Sequence, residues 1–162
     1  MSDCTEEVVN DLPFIVRRRV RWSDCDPAAV VYTGRFTAYL LDAVMLFYRQ
    51  IDWAPGPEWA PGLKVAPPKV GLPCKHMSLT FHRSLVPDDV VDIHIDVTTV
   101  REHSFDLAAR AYLADGVLAF EGIFSPVCIQ TDARIRIAIP PQLRAALQSH
   151  WRTTSTGTSG SV

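Results

Sequence analysis

The chain has 162 residues, 48% of them apolar and 21% charged, with a formal net charge of −2. That length and apolar content suit one domain with a real core and exclude a disordered chain. The charge balance argues against a broad nucleic-acid surface, and no apolar run is long enough to span a membrane.

The start, Met1 to Asn10, is acidic and polar, unlike a secretory signal. Cys4, Cys25, Cys74 and Cys128 share no short paired spacing. Neither a zinc site nor a disulfide framework is therefore expected, and reduced thiols in a cytoplasmic protein are the natural reading. Residues 1–11 are expected to be disordered or extended, 12–150 to form the folded domain, and 151–162 to be a disordered tail rich in Ser, Thr and Gly.

In chain order, Phe14 to Trp22 reads as a strand. Ile15, Val16 and Val20 favour it, and Arg17, Arg18, Arg19 and Arg21 suit an exposed or edge position. Pro27 ends it. Thr33 to Ile51 is predicted to be a long helix, because Phe36, Tyr39, Leu40, Ala43, Val44, Phe47, Tyr48 and Ile51 fall on one stripe. Asp52 to Pro73 holds Pro55, Pro57, Pro61, Pro67 and Pro68 besides its last residue, with Gly56, Gly62 and Gly71. It should be a loop, serving either as a lid or as a passive connection.

From Cys74 the period becomes two. Met77, Leu79 and Phe81 form one apolar row, and Val91, Ile93, Ile95 and Val97 a second. Phe105, Leu107, Ala109, Ala111 and Leu113 form a third. Pro87-Asp88-Asp89 and Asp115-Gly116 mark turns between them. Val117 to Gln130 is apolar on both faces in places, as in a strand that is central or covered by a partner subunit. Ile135, Ile137 and Ile139 suggest a short edge strand, and Pro140-Pro141 can open a final helix through His150.

The chemistry concentrates between Trp22 and Phe36. A strand-like run ends in Asp24 and Asp26, breaks at Pro27 and enters the long helix. At least one carboxylate then lies beside helix-start amides, which have no internal partners and carry partial positive charge. Thr33 and Gly34 could offer those amides to a developing oxyanion. The plainer alternatives are an Asp-stabilised turn and ordinary capping by Thr33. His76, His82, His94 and His103 read as surface strand or turn residues. Arg101 to Ser104 reads as a tight hairpin that either meets phosphates or is simply solvated. No nucleophile-elbow, phosphate-loop or dinucleotide motif is present.

The stretch Asp24-Cys25-Asp26-Pro27-Ala28-Ala29-Val30-Val31-Tyr32 resembles the hydroxybenzoyl-CoA thioesterase family of hotdog-fold proteins. The likeness extends to Phe36, Leu40, Asp42, Pro73, Pro87-Asp88-Asp89-Val90 and Ser104-Phe105, and the element order covers about residues 12 to 150. The resemblance implies an α+β hotdog fold: a curved antiparallel sheet of five to six strands around one long central helix. It implies homodimers assembled further into homotetramers, with active sites at the subunit interface.

The implied activity is hydrolysis of an aryl or medium-chain acyl-CoA thioester, or of an acyl-carrier-protein thioester. Asp26 would act as nucleophile or general base, and the backbone at Thr33 and Gly34 would polarise the carbonyl. Tyr32, Arg101, His103 and Ser104 would contact the substrate. Coenzyme A enters only as part of that substrate, and the chemistry needs no metal or other cofactor. Glu102 interrupts the family's basic hairpin, and Ala29 stands where the family usually has glycine. A hotdog dehydratase or hydratase is the nearest enzyme alternative. It would need a histidine beside the central helix, which itself contains none. A non-catalytic acyl-thioester-binding protein is the other.

Overall fold

The computed structural model describes residues 5–53 and 70–151. The sequence-predicted loop lies mostly, and the Ser/Thr/Gly tail almost wholly, outside these. Strands β1 (Glu6–Asp11) and β2 (Phe14–Arg19) form a hairpin, and a short 3-10 turn over Trp22–Asp24 leads towards helix α1 (Thr33–Gln50). After β3 (Val70–Gly71) come β4 (Cys74–Phe81), β5 (Val90–Val100), β6 (Phe105–Leu113) and β7 (Leu118–Pro126). The short β8 (Ile129–Gln130) and β9 (Ile135–Arg136) precede α2 (Pro141–Ser149). The main sheet is antiparallel with the order β1-β2-β5-β6-β7-β4, and β3-β8-β9 make a small second sheet. This is the α+β hotdog arrangement, with α1 against the sheet.

The stripe read from the sequence is the stripe the helix buries. Phe36, Tyr39, Leu40, Ala43, Val44, Phe47 and Tyr48 are all buried, and only Ile51, at the C-cap, stays half-exposed. Phe14, Val16, Ile93, Ile95, Leu107 and Phe120 meet it from the sheet. Apolar burial of this kind contributes ~1.5–3 kcal/mol per large side chain. Gly122 in β7 permits close strand packing: a Cβ there would sit 2.5 Å from the Ser78 carbonyl oxygen of β4. Among the described residues, no helix is long and apolar enough to cross a membrane.

Two expectations fail in detail. Arg18 is not on an exposed face. It is buried on the core side of β2, its guanidinium carbon 4.0 Å from the centre of the Tyr39 ring, and it pairs with Asp42 (3.0 Å) and Glu6 (3.1 Å). β2 is not an edge strand either, because β1 covers it. Second, the Met77, Leu79, Phe81 row of β4 is not buried. Met77 and Phe81 are exposed and Leu79 half-buried, since β4 ends the sheet and no strand among the described residues pairs its outer edge.

Candidate active site

The turn between Cys25 and Val31 is closed on itself. Asp26 N–H donates to the Val30 carbonyl (2.9 Å), Ala29 N–H to the Asp26 carbonyl (2.9 Å), and Cys25 bridges Val31. Asp26 Oδ1 accepts the Ala28 N–H at 2.8 Å, the Asx-turn geometry the sequence allowed. Val31 N–H donates to the Leu85 carbonyl (2.9 Å), tying the turn to the chain that leaves β4. Ala29 has φ +60°, the left-handed region where a Cβ is crowded. Ala29→Gly should therefore stabilise the fold by about 0.5–1 kcal/mol, read as a raised denaturant midpoint at unchanged m-value.

Tyr32 caps α1 through its backbone and makes no side-chain capping bond, so Thr33 is the first helical residue and not the cap. The Tyr32 ring lies over Gly34; a Cβ on Gly34 would meet its Cε1 at 2.6 Å. Asp26 and Thr33 line one cavity of about 330 Å3 with Val30, Val31, Phe36, Phe81, His82, Arg83 and Ser84. Asp26 also lines a neighbouring groove with Ser23, Tyr32, Gly34 and Arg35. Residue 26 thus stands where the two meet.

From the sequence Phe81 reads as part of an apolar strand row and His82 as a surface residue, and nothing there points Phe81 to Ser84 to this cavity. They reach the cavity because the end of β4 runs past the Asp26 turn, a contact over more than fifty residues of chain that no local pattern announces. Phe81 packs on Phe36 with ring centroids 4.8 Å apart, and Phe36 packs in turn on Phe120 at 5.1 Å. The wall beside Asp26 is therefore aromatic. Its rim is polar: His82 Nε2 lies 2.9 Å from Glu121 Oε1, and Arg83 bonds Asp115 at 3.1 Å.

Asp24, the other acid of the motif, has a different environment. Its side chain is fully buried. Oδ1 accepts Arg35 Nε–H (2.7 Å), and Oδ2 accepts the Tyr39 hydroxyl (2.8 Å) and the Arg21 N–H (3.2 Å). Burial alone would push this carboxyl up, but the bonds from Tyr39, Arg35 and Arg21 outweigh it and hold the carboxyl below the ordinary carboxylate range. Cys25 and Cys128 are poor nucleophiles at neutral pH. Desolvation and the charges of Asp24 and Asp26 raise the Cys25 thiol, and burial pushes Cys128 up to about 11.

Arg101 and Ser104 do not join Asp26 within the chain. They line a separate groove with Lys75, His76, Asp106, Ile123 and Ser125, at the opposite end of β4 from Phe81, about 20 Å along an extended strand. The Arg101 guanidinium makes a two-pronged bond to Asp106 (2.9 and 2.7 Å), so much of its charge is already answered. His103 is half-buried, and its carbonyl accepts the Cys128 N–H. Arg144 of α2, which the sequence reading passed over, donates to the Arg101 carbonyl at 2.7 Å and steadies the hairpin.

The Arg101 bond, with smaller help from Ser125, also lowers the Asp106 carboxyl, despite partial desolvation. A depressed carboxyl stabilises the fold above its unfolded value of about 3.8, and the effect is lost as pH falls through the folded value. The gap in Tm between wild type and Asp106→Asn should be full above about pH 5 and close below about pH 4, measured by circular dichroism.

Comparison with known proteins agrees with this fold. The profile of the Thioesterase-like superfamily matches residues 20–147. A 1,4-dihydroxy-2-naphthoyl-CoA hydrolase of Microcystis aeruginosa is 28% identical over 134 residues, covering 83% of this chain and 88% of that protein. A thioesterase-superfamily crystal structure from Jannaschia sp. superposes with TM-score 0.75 at 27% identity, covering 89% of this chain and 96% of that one. A 1,4-dihydroxy-2-naphthoyl-CoA thioesterase from Synechocystis superposes with TM-score 0.70 at 20% identity, covering 83% and 95%. The matched segment spans the Asp24–Tyr32 turn, α1 and the sheet strands β4 to β7, so the chain belongs to the Thioesterase-like superfamily and is a thioester hydrolase of the hotdog fold.

Proposed function

We propose that this protein hydrolyses an acyl-CoA thioester whose acyl group is aromatic, with Asp26 as the carboxylate that attacks the carbonyl or activates water. One observation carries the reading. Asp26 lines the same cavity as the start of α1 and an aromatic wall of Phe36 and Phe81. The thioester carbonyl would point at the Thr33 and Gly34 amides, its ring would lie on Phe81, and the thiol would leave along the groove beside Tyr32. Thiolates leave readily, so a carboxylate with an oxyanion site suffices. The 1,4-dihydroxy-2-naphthoyl-CoA hydrolase among the relatives supports an aryl acyl group.

The site is completed by a second copy. The outer edge of β4, which no strand among the described residues pairs, is apolar at Met77 and Phe81; the opposite edge, β1, exposes Val8 and Val9 but carries Glu6, Glu7, Asp11 and a bulge. Antiparallel pairing of two β4 edges would bring the Lys75, His76, Arg101 and Ser104 groove of one copy to the Asp26 end of the other. A homodimer, able to assemble further into a tetramer, would then hold the nucleotide end of coenzyme A with that groove and with His103.

The test is a hydrolysis panel of aryl, short-chain and long-chain acyl-CoA esters, with one acyl-carrier-protein substrate. The highest kcat/KM should fall on an aryl-CoA ester. Preference for the carrier protein or for long alkyl chains would overturn the substrate assignment. A second reading, hydration or dehydration of an enoyl or hydroxyacyl thioester, gains from His82 sharing the Asp26 cavity. An enoyl-CoA substrate in the same panel, consumed without release of free thiol, would favour it.

A further inference from the structure

We infer that Asp24 is a positioning residue for the reaction: its buried carboxylate clamps the turn carrying Asp26 to the first two turns of α1 and so sets the distance between that carboxylate and the helix-start amides. The inference rests on the hydrolytic role of Asp26 proposed above.

The clamp is built from both side chain and backbone. The Asp24 side chain holds Arg35 in the first turn of α1 and Tyr39 in the second. Its carbonyl accepts the N–H of Tyr32, the cap residue, at 2.9 Å. The third side-chain bond, from Arg21 N–H, comes from the other end of the short turn over Trp22–Asp24. Tyr39 is itself fixed, being fully buried with Arg18 across its ring and Arg18 tied to Asp42 on the same helix. The carboxylate therefore joins a rigid helix to a turn that would otherwise meet it chiefly through backbone contacts.

Asp24 is unsuited to act on substrate directly. Its side chain has no exposed surface, and three donors already occupy its oxygens. Asp26, two residues on, bonds only the Ala28 N–H through Oδ1 among the described side-chain contacts. The two acids thus divide the work: one is buried and holds the geometry, and the other faces the cavity. A shift of about 1 Å between a reacting group and its oxyanion donors can cost about 100-fold in rate.

Arg35→Ala, Tyr39→Phe and Asp24→Asn test this, assayed well below each variant's Tm against the best aryl-CoA substrate. Arg35 is half-exposed, so its removal should leave the fold intact even where Asp24→Asn does not fold. Arg35→Ala should lower kcat by about 10–100-fold with KM changed less than about threefold. Arg35→Lys, which keeps a cationic donor, should recover most of the loss. In an Asp26→Asn background the same Arg35→Ala change should cost nothing further, because the clamp acts only through Asp26. Full turnover in Arg35→Ala and Tyr39→Phe, or an equal fractional loss with and without Asp26, would overturn the inference. Wild-type turnover in Asp26→Asn alone would instead overturn the proposed function, so the two failures are distinguishable.

Discussion

Asp26→Asn should lower kcat/KM for thioester hydrolysis by about 10²–10⁴-fold while leaving Tm nearly unchanged. Asparagine keeps the side-chain oxygen that accepts the Ala28 N–H, so the turn should survive. What it lacks is the negative charge needed to attack a carbonyl or to take a proton from water. Because the fold is retained, a loss of rate cannot be ascribed to unfolding, and circular dichroism of the same sample checks this. Single-turnover hydrolysis in water enriched in heavy oxygen identifies attack by Asp26 where the label enters the enzyme. Activation of water places the label in the released acid. Attack by Asp26 forms a mixed anhydride and expels the thiolate. If water then opens the anhydride at the Asp26 carbonyl, the label stays in the enzyme and the first acid released carries an unlabelled oxygen from the carboxylate. Unchanged turnover in the variant would remove Asp26 from the mechanism.

Met77→Glu combined with Ser78→Glu should give a folded monomer with hydrolysis reduced on the order of 100-fold. Both side chains are exposed in the single chain, so the core is not disturbed. They lie on opposite faces of β4, and pairing two copies would bring their carboxylates together, which like-charge repulsion opposes. Size-exclusion chromatography with light scattering reads the assembly, and the same fractions are assayed. A monomer with full activity would show that one chain holds the whole site. A wild-type protein that is already monomeric at micromolar concentration would show that β4 is not the contact edge.

The two predictions draw on different levels of the molecule. That an acid stands beside the start of the helix was accessible from the chain, because an acid followed by proline, a small-residue turn and an amphipathic helix is a local arrangement; the choice of Asp26 came from the family resemblance. The different surroundings of Asp26 and Asp24 were not. Two aspartates on one short extended stretch look alike, and only Arg35 and Tyr39, on another element, give one of them three donors and burial. The Arg18 burial follows the same logic. A run of basic residues reads as a solvated face until Glu6 from one side and Asp42 from the other supply its partners.

By itself the sequence determined the long helix, the buried faces of β5 and β6, the turns at Pro87-Asp88-Asp89 and Asp115-Gly116, and the acid-to-helix connection. Each rests on periodicity or turn chemistry within about twenty residues, where local physics acts directly. Tertiary structure alone decided that β4 ends the described sheet, that Phe81 and His82 share a cavity with Asp26, and that the Arg101 hairpin lies at the far end of that strand. Those placements depend on strand order and on contacts between residues far apart in the chain, which alternation of apolar and polar residues does not encode.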